Sequence, residues 1–231
     1  MITSWQATLP DGKSSEELLL SFDQGRASRV LILSAWFDEA NKMRRFTVET
    51  MRALDQAGID SFLPDLPGCN ESLVPLQGQT IASWREQARQ AAAQCSATHV
   101  LAIRAGAMIA PDMLPGCQYA AQTGAKLLRG MIRARIITQR EAGYEETSDA
   151  LLERGRSEGL VLAGYPLSAE MIAQLEHAEP TGSLHHKAIL PKDLGGAGLW
   201  LRAEPDEDAE QVRALATMIA TGMNGNDEST S

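Results

Sequence analysis

Several things are scarce in this sequence of 231 residues, and each scarcity excludes something. Cysteine occurs three times, at Cys69, Cys95 and Cys117, with no Cys-x-x-Cys pair. That excludes a zinc ribbon and a disulfide framework and predicts reduced thiols in a cytoplasmic protein. Positive charge is in deficit: the net charge is −9, so a wide contact with nucleic acid or an anionic bilayer would be repelled. No apolar run approaches the roughly 20 residues needed to span a membrane. The first residues, MITSWQATLPDGKSS, lack the basic start and apolar stretch of a signal peptide. Neither Gly-x-x-x-x-Gly-Lys-Ser/Thr nor Gly-x-Gly-x-x-Gly after the first buried strand is present, which removes the nucleotide signatures. No cofactor and no metal are expected. The adjacent pair His185–His186 would face opposite sides of a strand.

What is present is an alternation of strand and helix. Apolar residues make up 44% of the chain, enough for a large core. Residues 2–9 read as an edge strand, with a turn at Pro10–Gly12. Arg29–Trp36 and Ile59–Leu66 read as buried strands. Helices are predicted over Arg44–Ala57 and Gln79–Ala97, before a third strand at His99–Ile103. This order predicts an α/β, doubly wound, mostly parallel sheet with helices on both faces. A functional crevice then lies beyond the carboxyl ends of the strands, where the loops 36–45, 67–73 and 104–107 open. Farther on, a basic amphipathic helix at Ala125–Arg140 and an acidic one at 141–158 form a helical cap over about residues 115–160. A helix capped by Ser168 follows. Leu199–Ala203 reads as the last strand and Glu210–Thr221 as the closing helix. Residues 224–231 read as a disordered tail on a single domain, 1–231.

The stretch HVLAIRAGAMIAP, His99 to Pro111, has the layout of a nucleophile elbow: a strand, a tight turn of small residues, a short helix. At the summit, where Gly-x-Ser-x-Gly would place serine, stands Arg104. A guanidinium stays protonated and cannot attack. It either binds a carboxylate or phosphate through two parallel hydrogen bonds, or pairs with Asp38 or Glu39 and holds the loop. The histidines, His99, His177, His185 and His186, all precede the expected last strand, where the order Ser…Asp…His would require one after it. Asp206, Glu207 and Asp208 read as a triad acid or, more commonly, a solvated turn. Ser34, Ser72 and Cys69 flank the crevice without an evident base. Asp65-Leu66-Pro67-Gly68 reads mainly as turn chemistry. The loop carrying Asp38, Glu39, Lys42, Arg44 and Arg45 is either a charged binding site or a solvated helix start.

Four short motifs occur in order: Asn41-Lys42-Met43-Arg44-Arg45, Asp65–Cys69, Ile103–Ala110 and Leu162–Met171. Together they resemble the α/β-hydrolase-fold proteins of exosortase A systems, the type labelled hydrolase 2. In that family an Asn-Lys-x-Arg-Arg loop follows the first central strand, a Gly-Cys turn follows the next, and arginine replaces serine at the elbow. An Ala-Gly-Tyr segment then precedes a Ser-capped helix, here Ala163–Tyr165 and Ser168. The sequence departs from the pattern at Ala102 and Asn70. The resemblance covers about residues 29–175 and implies an association with exopolysaccharide production and surface-protein sorting.

The resulting expectation is a hydrolase-fold protein without a serine triad. It would bind a small anionic or acyl ligand, or a protein partner, through Arg104, Asn41, Lys42, Arg44, Arg45 and Glu39. The rival is an esterase or thioesterase using Ser34, Ser72 or Cys69. In a third reading the basic helix at 125–140 belongs to a homodimer interface.

Overall fold

The computed structural model describes residues 1–204, 206 and 208–224. The chain opens with a hairpin, β1 (Ile2–Thr8) and β2 (Ser14–Phe22), paired antiparallel around a turn at Pro10–Gly12. Then come β3 (Arg29–Leu33), α1 (Asp38–Gln56), β4 (Asp60–Pro64), α2 (Ile81–Gln94) and β5 (His99–Ile103). A six-residue 3-10 turn, Arg104–Ile109, leads to β6 (Gly116–Tyr119), α3 (Gly124–Glu141) and α4 (Ser148–Glu158). The short antiparallel pair β7 (Leu160–Leu162) and β8 (Tyr165–Leu167) precedes α5 (Ala169–His177), β9 (His186–Ile189), the single turn α6 (Pro191–Leu194) and α7 (Ala209–Asn224).

Seven strands form one sheet in the order β1-β2-β4-β3-β5-β6-β9. β2 pairs antiparallel with β4, and from β4 to β9 every pairing is parallel. This is the doubly wound, mostly parallel sheet that the alternating pattern predicts. Helices cover both faces. Leu31 and Leu33 of β3 face α2 and the cap helices, whereas Val30 and Ile32 face α1 and α7. Successive strand residues point to opposite sides, so a strand covered twice must be apolar throughout. That requirement explains the unbroken run from Val30 to Leu33.

Several elements differ from expectation. β2 escapes a hydrophobic reading because its buried face carries Glu17 and Ser21 beside Leu19. Gly116–Tyr119, inside the stretch expected to be a helical cap, is a strand of the central sheet, and the first helix of that stretch is α3. A Cβ on Gly116 would lie 1.9 Å from the Val100 carbonyl oxygen, so only glycine lets β6 pack this closely on β5. Leu199–Leu201 is a 3-10 turn, and the final strand is β9, a polar segment of which only Ile189 is buried. Gly195 and Gly196, both at positive φ, bend the chain before Leu199, which is buried, whereas Leu201 stays exposed and no ladder forms. Finally, α1 starts at Asp38, six residues earlier than its apolar period, and the acidic helix starts at Ser148. At the C-terminal end Asn224 closes α7, and residues 225–231 of the expected tail lie outside the described residues.

Candidate functional site

The elbow is where the sequence places it. β5 ends at Ile103, and Arg104 takes φ 55°, a left-handed conformation that costs a non-glycine residue on the order of 1–3 kcal/mol. Two residues on, a Cβ at Gly106 would meet the Leu33 and Ser34 carbonyl oxygens at 2.3 and 2.7 Å. The second glycine of the motif therefore lets the turn sit directly on the end of β3.

The Arg104 side chain turns into the protein. Its Nε and Nη2 donate to the two carboxylate oxygens of Glu39, at 2.9 and 2.8 Å, and Nη1 donates to the Ala120 carbonyl at 3.0 Å. The Trp200 ring lies against the guanidinium, 4.1 Å from its carbon to the ring centroid. Arg104 is 5% exposed. Of the two uses open to it, the ion pair is the one the geometry shows, with Glu39 as partner. Elements that follow β3, β5, β6 and β9 all contribute, so the cation ties together the carboxyl edge of the sheet.

Beside this pair lies a cavity of about 430 Å³. It opens between the carboxyl ends of β3 and β4, under the turn Gly68–Glu71, with β8 as its outer wall. Among the expected site residues Asn41 and Arg44 line it, whereas Arg104, Glu39, Lys42 and Arg45 do not. Lys42 instead pairs with Asp38, one helical turn earlier, at 2.8 Å. Arg44 stands 3.7 Å from the buried Asp65 carboxylate, close enough for charge attraction but too far for a hydrogen bond. The Arg44 side chain remains 42% exposed. Asp65 itself accepts from the Asn70 amide at 2.7 Å, the turn role its motif predicts.

The wall of the cavity is aromatic, which sequence reasoning missed. Trp36, Phe37 and Tyr165 line it, and Trp84 stands behind. Ring centroids lie 4.8 Å apart for Trp36–Trp84 and 5.0 Å for Phe37–Tyr165. Aromatics are only 5% of the chain, so the Trp36-Phe37 dipeptide at a strand end was the available signal. Phe37 also takes φ 55°, a second strained residue beside the first. Burial pushes the Tyr165 phenol up, with Asp38 and Cys69 adding to the effect.

The candidate nucleophiles fare differently. Burial, reinforced by Asp65 and Glu17, pushes the Cys69 thiol far up, so it is neutral at physiological pH and weakly nucleophilic. The Ser72 hydroxyl accepts from the Gly68 and Val74 backbone N–H groups, at 2.8 and 3.2 Å, and staples the turn. Ser34 does line the cavity. No histidine lines it. His99 and His186 open their strands at the opposite edge of the sheet, His185 precedes β9, and His177 ends α5. Asp206 pairs with Arg202, and Asp208 accepts from the first backbone N–H groups of α7; Glu207 lies outside the described residues. Among the described residues no group of three or more potential ligands could hold a metal ion, and no helix is long and apolar enough to cross a membrane.

No protein-family model matches this sequence, and no curated protein matches it. Solved structures do. Mouse alpha/beta hydrolase domain-containing protein 10 aligns over 100% of both chains with 12% identity and a TM-score of 0.57. A predicted CIB-like hydrolase from Thermoplasma acidophilum aligns over 96% of this chain and 99% of its own, with 10% identity and a TM-score of 0.49. At these identities the likeness is one of fold. The chain has the α/β-hydrolase fold, a mostly parallel central sheet flanked by helices.

Proposed function

We propose that this α/β-hydrolase-fold protein works without a serine triad and uses the cavity beside its elbow to bind a small ligand with an anionic head and an apolar or acyl body. The observation that supports this most strongly is the contrast at the sheet edge. Arg104 is consumed by Glu39, whereas Arg44 projects its fork, half exposed, into a space walled by Trp36, Phe37 and Tyr165. A guanidinium with spare donors recognises a carboxylate or phosphate, and the aromatic wall accepts an apolar body. Asn41 lies one helical turn-face away from Arg44 and adds a polar group to the same rim. The motif resemblance to exosortase A-associated hydrolases favours a role in exopolysaccharide production, and the proposal extends that far.

Trp36 and Trp84 make the site observable. Titration with hexanoate, octanoate and phenylacetate, followed by tryptophan fluorescence, is expected to give saturable binding. Arg44→Ala is expected to weaken it by about tenfold or more, the value of a charged hydrogen bond. No saturable change with any of the three acids would remove the proposal. Ser34 keeps the esterase reading alive because it shares the cavity. Turnover of p-nitrophenyl acyl esters, lost in Ser34→Ala, together with fluorophosphonate labelling of Ser34, would replace the binding reading with that one.

A further inference from the structure

The cap carries a feature that the cavity does not use. Helix α3 buries Leu127, Leu128, Met131 and Ile132 and leaves Lys126, Arg129, Arg133, Ile137 and Arg140 exposed. Steps of three or four residues place these five on one stripe about 21 Å long, at 1.5 Å per residue. The four cations make no ion pair among the described residues. Elsewhere in the chain most arginines face a carboxylate: Arg26 and Arg29 at Asp60, Arg104 at Glu39, Arg154 at Glu146, Arg156 at Glu176. Even on α3, the neighbouring Arg135 is held by Glu146. With a net charge of −9, acids are in excess, yet among the described residues none forms an ion pair with these four cations, and the stripe's last turn adds only Glu141. Tyr144, 65% exposed just past the helix end, and Ile137, 50% exposed, add bulky contact area at the same end.

We propose that the outer face of α3 docks an acidic helical segment of a partner protein. A row of cations at one-turn intervals complements carboxylates spaced three or four residues apart on a facing helix. Arginine and tyrosine are the side chains that contribute most at such contacts. A helix touches only the stripe. An anionic bilayer is a plane, and it would also confront the acidic remainder of the molecule, which repels it.

The probe is a fluorescein-labelled alanine–glutamate peptide of about five helical turns, with its glutamates on one face. Anisotropy is expected to show saturable binding that weakens as salt is raised. Arg129→Glu/Arg133→Glu/Arg140→Glu is expected to lower the affinity by about tenfold or more. Arg213→Glu, on the exposed side of α7, is expected to leave it unchanged. Circular dichroism checks that each variant folds. Absence of binding, or equal loss in Arg213→Glu, would overturn the proposal. So would binding to phosphatidylserine vesicles but not to the peptide, or light scattering that shows a dimer of this chain abolished by the triple variant.

Discussion

Arg104 and Arg44 stand at the same edge of the sheet and do opposite things. Arg104 is 5% exposed, with Glu39, the Ala120 carbonyl and the Trp200 ring around it. Arg44 is 42% exposed on its side chain and 3.7 Å from its nearest carboxylate. The first has exchanged water for fixed partners, and a ligand would have to break them before it could bind. The second still has water to give up. A cation at an expected catalytic summit is thus a fastening, and the solvent-exposed cation that lines the cavity lies on α1.

The sharpest way to break that contrast is to remove the partner of the fastening. Glu39→Ala leaves the Arg104 charge buried and unpaired, and destabilisation by about 3–5 kcal/mol is expected in urea unfolding. Removing both charges, as Glu39→Leu/Arg104→Met, is expected to recover most of that loss. Arg104 would stand as a ligand cation after all if the single variant were as stable as the parent. The glycine beneath the elbow comes next. Gly106→Ala drives a methyl group to 2.3 Å from the Leu33 carbonyl oxygen, and a loss of about 1–3 kcal/mol is expected from forced backbone movement. Arg44→Ala, in contrast, is expected to stay within about 0.5 kcal/mol of the parent in stability while its ligand affinity falls. A stability loss like that of the Glu39 variant would merge the two arginines into one structural class.

The smallest effect concerns pH and the cap. Arg135, with Arg154 adding to it, holds the Glu146 carboxyl down at about 2. The unfolded value is about 4.3, so the stabilisation is complete above it and fades as pH falls toward 2. The melting temperatures of the parent and Glu146→Gln are therefore expected to differ most near neutrality and to converge in acid. A gap that widened in acid would place the stabilising charge elsewhere.

Much of the fold was legible because its signals are local. Val30–Leu33 and Val100–Ile103 are apolar throughout, and α2 carries an amphipathic period behind its Thr80 cap. β2, β6 and β9 were not legible, since they are defined by what they pair with. Glu17 sits on a buried face, Gly116 fits because Val100 leaves no room, and β9 buries only Ile189. Of the residues expected at the site, Asn41 and Arg44 line the cavity, and the charge of their segment was the signal. Trp36 and Phe37 were passed over because an aromatic at a strand end reads as core.

From residue order alone came the alternation that imposes a parallel sheet, the elbow, and the cation at its summit. Those depend on periodicity, on small residues in tight turns, and on the permanence of a guanidinium charge. Which way that cation points, which carboxylate meets it, and which neighbouring cation stays exposed along the cavity were settled by tertiary structure. Glu39, Ala120 and Trp200 come from three distant stretches of chain, and only packing the elements around one sheet brings them within hydrogen-bonding and ring-contact distance of Arg104.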